Sequence, residues 1–128
     1  MLERRWGRIV NIASTAGKTG YPYVVPYVAA KHALIGFTRA LALEVASKGV
    51  TVNAVCPSFV DTPMLRQSVS ATSTRTGKSV EELLEIFRKK NPQNRLVTAE
   101  EVAAAVQFLI QTSAINGQAL SICGGEVL

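Results

Sequence analysis

Two short runs, Arg8-Ile9-Val10-Asn11-Ile12-Ala13 and Thr51-Val52-Asn53-Ala54-Val55, separated by a long apolar stretch from Pro26 to about Lys48, decide the fold. The runs are rich in β-branched residues. The small residues Ser14 to Gly20 follow the first, and Cys56-Pro57 stops the second. The stretch between them opens with a proline at a position where a helix tolerates one, and it closes before Gly49. Strand, helix and strand in that order make a βαβ unit, and such units build parallel sheets. The helix pattern is apolar nearly all round, through Val28, Ala29, Ala33, Leu34, Phe37, Ala40, Leu41 and Val45. It is therefore expected to be buried on two sides, by a sheet and by a partner helix.

Outward from that unit, the chain between Thr62 and Val97 turns polar, with Ser68, Ser70, Thr72, Ser73, Thr74 and Thr76 close together, and reads as an irregular insert. Inside it Ser79-Val80-Glu81-Glu82 is a capping box that opens a helix to about Lys90. A second box, Thr98-Ala99-Glu100-Glu101, opens a helix to about Gln111. Gln118 to Cys123 is the last strand, ended by Gly124-Gly125, and no internal repeat is present. The expected fold is α/β, with about three parallel strands in sequential order and helices packed on them.

The chain has 128 residues, a length that suits one domain. At 48% hydrophobic and 18% charged it can form a packed core, which excludes a disordered tail. No apolar run approaches the roughly 20 residues of a membrane helix, and the charged start Met1 to Trp6 leads into no signal-peptide stretch. A cytoplasmic protein is expected, without secretion or a membrane partner. Net charge is +5, but the densest cluster, Arg88-Lys89-Lys90, ends a helix pattern where cations complement the helix dipole. Nucleic acid is thus not an expected partner. One histidine and two cysteines are too few for the roughly four ligands of a zinc site, so no metal is expected. Cys56 and Cys123 read as reduced core thiols, and Trp6 as a cover for the start of the first strand.

Tyr27 and Lys31 stand four apart at the start of the long helix, on one face and one turn apart. A tyrosine at an ordinary pKa of about 10 is a poor acid–base group at pH 7. A nearby ammonium and the positive helix N-terminus both favour the phenolate and make the phenol a better acid. Ser14, where the first strand ends, can present a hydroxyl to the same cleft, because ligands of open parallel sheets bind beyond the carboxyl ends of the strands. Together the three offer a proton donor, its tuner and a hydrogen bond for a carbonyl oxygen. On spacing alone, a solvated Tyr–Lys surface pair is the default reading of Tyr27 and Lys31, ahead of catalysis. His32 is turned about 100° from Lys31 along the helix and is not expected to act as a base.

Taken in order, Ile9-Val10-Asn11-Ile12-Ala13-Ser14, Tyr27-Val28-Ala29-Ala30-Lys31, Val52-Asn53-Ala54-Val55-Cys56-Pro57 and Gly117-Gln118-Ala119-Leu120-Ser121-Ile122-Cys123-Gly124-Gly125 resemble the short-chain dehydrogenase/reductase family. Cys56-Pro57-Ser58-Phe59-Val60-Asp61-Thr62-Pro63-Met64 looks most like its 3-oxoacyl and polyketide ketoreductases. The resemblance implies the C-terminal half of a Rossmann-type domain, with residues 1–128 as one partial domain and residues 63–95 as a substrate-lid-like insert. It implies Tyr27 as catalytic acid, Lys31 as the residue that tunes it and binds the nicotinamide ribose, and Ser14 as the hydroxyl that holds the substrate carbonyl. Pro57, Ser58, Val60 and Thr62, with Tyr27 and Lys31, would face the nicotinamide of NADP or NAD. Ser58 stands where the family motif has a glycine, which adds a side chain close to the ring.

The family's glycine-rich phosphate turn has no counterpart here. The resemblance therefore implies reduction of a ketone on an acyl thioester, with this chain alone weak or inactive and binding cofactor poorly. It further implies a homo-oligomer, or an N-terminal half supplied by another chain. A non-enzymatic, self-associating structural module and a truncated fragment are the alternatives.

Overall fold

The structure, a computed structural model, describes residues 1–127. Three parallel strands, β1 (Gly7–Ile12), β2 (Val50–Pro57) and β3 (Ala119–Ile122), form one sheet in the order β1-β2-β3. Gly7 pairs with Val50 and Ile12 with Val55, while Ala54 pairs with Ala119 and Pro57 with Ile122. The central strand runs through Cys56 and Pro57, two residues past its expected stop, because Pro57 ends the strand and needs to donate nothing further. All eight of its residues are buried. Cover on both faces is why this strand reads as a continuous apolar run rather than an alternation.

Helix α1 (Val25–Val45) continues into a short 3₁₀ turn, Ala46–Lys48, and closes at Gly49 with φ 74°. A side chain at Gly49 would also collide with the carbonyl of Arg5. Ile35 packs with Ala13, Ala54 and Cys56; Ala42 and Val45 pack with Val50 and Val52. Only Ile35, Thr38, Ala42 and Val45 of α1 are buried, one stripe rather than the two sides expected. Phe37 and Leu43 on its other faces are 55% and 83% exposed. Trp6 is 56% exposed and sits under the Arg8 guanidinium, 5.4 Å away, instead of covering the strand. Asn116 joins the layers, accepting from the Val52 N–H (2.8 Å) and donating to Ala42 C=O (3.1 Å).

The polar insert is more ordered than expected and holds two helices, α2 (Pro63–Thr76) and α3 (Val80–Lys90). At the start of α2, Thr62 is an N-cap that accepts from Leu65 N–H, and Pro63 occupies the first turn. Its serines and threonines masked it. Three of them turn back onto carbonyls four residues earlier, Thr72 to Ser68, Thr74 to Ser70 and Thr76 to Thr72, so they satisfy the helix they disfavour by propensity. Val69, Leu83 and Leu84 form a separate small core with Leu65, Phe87 and Leu96. The ends of the insert are tied at its base, where Asp61 donates to Val97 C=O (2.9 Å) and Val97 to Phe59 C=O (3.0 Å).

Both capping boxes form, and the second opens α4 (Ala99–Gln111), which packs on all three strands. In α3, Arg88 pairs with Glu81 (2.5 Å) and Lys89 with Glu85 (3.8 Å), so two cations of the basic cluster are engaged on their own helix. Among the described residues no helix is long and apolar enough to cross a membrane. Cys56 and Cys123 are free and buried.

Candidate active site

The site lies at the carboxyl ends of β1 and β2. Ser14 follows β1 and caps a 3₁₀ turn, Thr15–Gly17, by accepting from Ala16 N–H at 3.1 Å. That bond uses a lone pair and leaves the Ser14 hydrogen available. Gly17 lets this turn approach α1 closely: a Cβ there would lie 2.6 Å from the Lys31 carbonyl oxygen. Tyr27 and Lys31 sit in the first two turns of α1. Lys31 Nζ donates to Ile12 C=O at 2.9 Å, tying the helix to the end of β1, and lies 5.5 Å from the centre of the Tyr27 ring. The Tyr27 ring is about half exposed (49%), and its hydroxyl makes no bond to the protein among the described residues. His32 points elsewhere, its Nδ1 2.9 Å from Val28 C=O.

Ser14, Tyr27, Lys31, Pro57, Ser58, Val60 and Thr62 all line one cavity of ≈ 510 Å³. The seven candidate catalytic and cofactor-facing residues are therefore gathered in one place. A second cavity of ≈ 440 Å³ shares Ser14, Tyr27, Ser58 and Phe59 with the first. It extends instead toward Tyr21, Phe87 and Lys90. The four shared residues form a seam between two lobes. Thr62 is already engaged at one edge, since its hydroxyl caps α2.

The second lobe is the part the sequence did not reveal. Phe59 stacks on Phe87 with ring centres 4.3 Å apart and meets Tyr21 edge-on at 6.4 Å. Lys90 Nζ lies 4.9 Å over the Tyr21 ring. The Tyr21 hydroxyl donates to Glu126 Oε1 at 2.5 Å and is 2.9 Å from Thr15 Oγ1; the Ser58 hydroxyl donates to Glu126 Oε2. Burial, and then the bond to Glu126, push the Tyr21 phenol up to about 12, so it remains a protonated donor. No local signal marks Glu126, which reaches Tyr21 from 105 residues along the chain. Phe87 reads in the sequence only as part of an apolar helix stripe.

Residues 1–126 match the family model described as enoyl-(acyl carrier protein) reductase. The chain belongs to the short-chain dehydrogenase/reductase family. Among curated relatives of this chain, a Streptomyces coelicolor protein provisionally named a ketoacyl reductase is 49% identical over 127 residues, covering 98% of this chain and 49% of that protein. A 3-oxoacyl-[acyl-carrier-protein] reductase of Rickettsia bellii is 40% identical over 130 residues, covering 100% and 49%. Among solved structures, a variant of actinorhodin polyketide ketoreductase with NADPH superimposes with a TM-score of 0.91 at 48% identity, covering 98% of this chain and 49% of that one. The chain spans about half the length of the curated relatives it matches.

Proposed function

We propose that these residues are the proton-donating, nicotinamide-facing part of an NAD(P)H-dependent ketoreductase for a 3-oxoacyl or polyketide-type acyl substrate. The seam carries this reading: Ser14 and Tyr27 border both lobes, with Lys31 beside the Tyr27 ring. A ketone in the aromatic-walled lobe can bring its oxygen to these two hydroxyls. Ser14 donates a hydrogen bond to that oxygen, which orients the carbonyl and stabilises charge developing on it. Tyr27 gives the oxygen its proton, and the Lys31 ammonium stabilises the phenolate left behind. Residues 63–95 cover the ketone lobe, contributing Phe87 and Lys90 to its wall, and residues 1–128 act as one unit.

The bound nicotinamide supplies the hydride. The ≈ 510 Å³ lobe suits its nicotinamide–ribose end: Lys31 keeps two donors after Ile12, and Pro57, Ser58, Val60 and Thr62 form the opposite wall. Among the described residues no glycine-rich turn joins a strand to a helix N-terminus, so the pyrophosphate site must come from sequence outside them. The 128 residues alone are accordingly proposed to bind NADP or NAD weakly and to turn over slowly or not at all. The setting proposed is cytoplasmic, with Cys56 and Cys123 reduced.

The test is equilibrium titration of NADPH and NADH against the chain, alone and co-expressed with the N-terminal half of a relative, followed by reduction of an acetoacetyl thioester. Weak binding alone, tighter binding together and turnover lost in Tyr27→Phe are expected. Turnover that survives Tyr27→Phe overturns the reading.

A second proposal concerns association, and exposed apolar surface favours it. Val25, Phe37 and Leu43 of α1 are largely exposed, and β1 pairs on one side only among the described residues. An unpaired apolar strand edge templates pairing with another chain. A homo-oligomer, or union with a complementary half, would cover both surfaces. Light scattering at micromolar concentration tests this, and a folded, monodisperse species of 13.7 kDa would count against it.

A further inference from the structure

Ser58 lines both lobes at their seam, so its side chain borders the space where hydride donor and ketone must meet. A serine hydroxyl with no partner turns to whatever acceptor it finds, and at this position that includes the reacting carbonyl. Here the hydroxyl is taken by Glu126, whose other carboxylate oxygen takes the Tyr21 hydroxyl. Tyr21 belongs to the chain that follows the Ser14 turn, whereas Ser58 follows β2. One carboxylate thus ties Ser58 of the seam to Tyr21 in the wall of the second lobe. Glu126 itself lines neither lobe, and no Asp or Glu does. It stands behind the wall, in a tail turned back by the bond from Glu126 N–H to Cys123 C=O (3.2 Å). The two bonds fall on different oxygens of one carboxyl, so neither competes with the other for an acceptor.

We propose that Glu126 is a positioning residue: it draws the Ser58 hydroxyl away from the seam and holds Ser58 at a fixed separation from Tyr21 in the second lobe. The proposal rests on the ketoreductase reading for its purpose, since that reading makes the seam the place of reaction. It also explains how a serine can stand at 58 without obstructing the nicotinamide lobe. Removing the carboxylate frees the Ser58 hydroxyl to turn into the seam beside Tyr27, and removing the Ser58 side chain as well leaves nothing to turn.

The test follows the ring resonances of Tyr21 and Tyr27 by NMR in the ¹³C-tyrosine-labelled chain, assigned with Tyr21→Phe and Tyr27→Phe. In Glu126→Ala the Tyr21 titration midpoint should fall from about 12 toward the ordinary value of about 10, stopping short because burial remains. The Tyr27 resonance should shift in the same variant. Adding Ser58→Gly should return Tyr27 to its original position while Tyr21 stays altered, a rescue that a merely structural bond would not give. Glu126→Gln, which keeps the volume, serves the same purpose with a smaller shift if the alanine variant fails to fold. A Tyr27 resonance unmoved in both Glu126 variants, or moved and not restored by Ser58→Gly, overturns the proposal. None of these readouts needs cofactor or turnover, so failure of the NADPH titration would be a separate result that bears on the ketoreductase reading alone.

Discussion

The wall built from β1, α1 and β2 and the excursion formed by α2 and α3 both face the site, but different forces hold them. All eight residues of β2 are buried, and α1 lays a continuous stripe across them. In the excursion one residue of α2 and two of α3 are buried, and what order it has comes from caps, one small apolar cluster and exposed ion pairs. Exposed pairs contribute little to stability. Regions with few buried contacts open locally at lower free energy than the global fold. On the proposed ketoreductase reading, the groups that must hold sub-ångström geometry, Ser14, Tyr27 and Lys31, therefore stand on the stiff wall. Phe87 and Lys90, which on that reading need only enclose a substrate, stand on the part that can yield.

The largest expected effect tests that division on chemistry. With the cofactor half supplied, Tyr27→Phe should lower ketone reduction by about 10²–10⁴-fold, the usual contribution of a positioned acid, and leave the unfolding midpoint nearly unchanged. Phe87→Ala should act mainly on KM. A kcat loss in Phe87→Ala as large as that in Tyr27→Phe would break the comparison.

On stability, Ile35→Ala removes a side chain 3% exposed between α1 and β2 and should cost about 2–5 kcal/mol in denaturant unfolding. Leu84→Ala, at 5% exposed, deletes a comparable side chain from the excursion. Its signature should be faster amide exchange confined to α2 and α3, with β2 protection retained. Uniform loss of protection would show that wall and excursion unfold as one unit.

Thr62→Ala separates two roles for a residue that both lines the ≈ 510 Å³ lobe, proposed for the nicotinamide, and caps α2. Loss of the cap should cost about 1 kcal/mol, read as fraying of α2 by amide exchange. NADPH affinity lowered with α2 intact would assign Thr62 to the cofactor as well.

The smallest effect concerns pH. The Arg95 guanidinium, then the Thr98 N–H, hold the Glu101 carboxyl down at about 2. A depressed acid stabilises the fold above its unfolded pKa, about 4.3, and that stabilisation is lost as pH falls toward 2. Acid should therefore loosen the start of α4 across that window, seen in amide exchange. Glu101→Gln should flatten this part of the pH dependence, and an unchanged profile would assign the acid sensitivity elsewhere.

The amino-acid sequence by itself determined the parallel order of the strands, both capping boxes and the length of α1, while Ser14, Tyr27, Lys31, Pro57, Ser58, Val60 and Thr62 came forward through the motifs that resemble the family. The first three are local properties: β-branched runs, helical periodicity and a cap three residues before its partner are visible within one turn or one strand. Helix α2 lay at the margin, announced by Thr62-Pro63 but hidden by hydroxyl residues whose bonds to the preceding turn are made only once the helix exists. Whether α1 would be covered on one face or two was also beyond local pattern, because an apolar stripe does not say what covers it. Only the tertiary structure decided the second lobe, the stacking of Phe59 on Phe87 and the capture of Ser58 and Tyr21 by Glu126. Those contacts join residues tens to more than a hundred positions apart, and their partners meet only because the sheet brings the ends of β1, β2 and β3 to one edge.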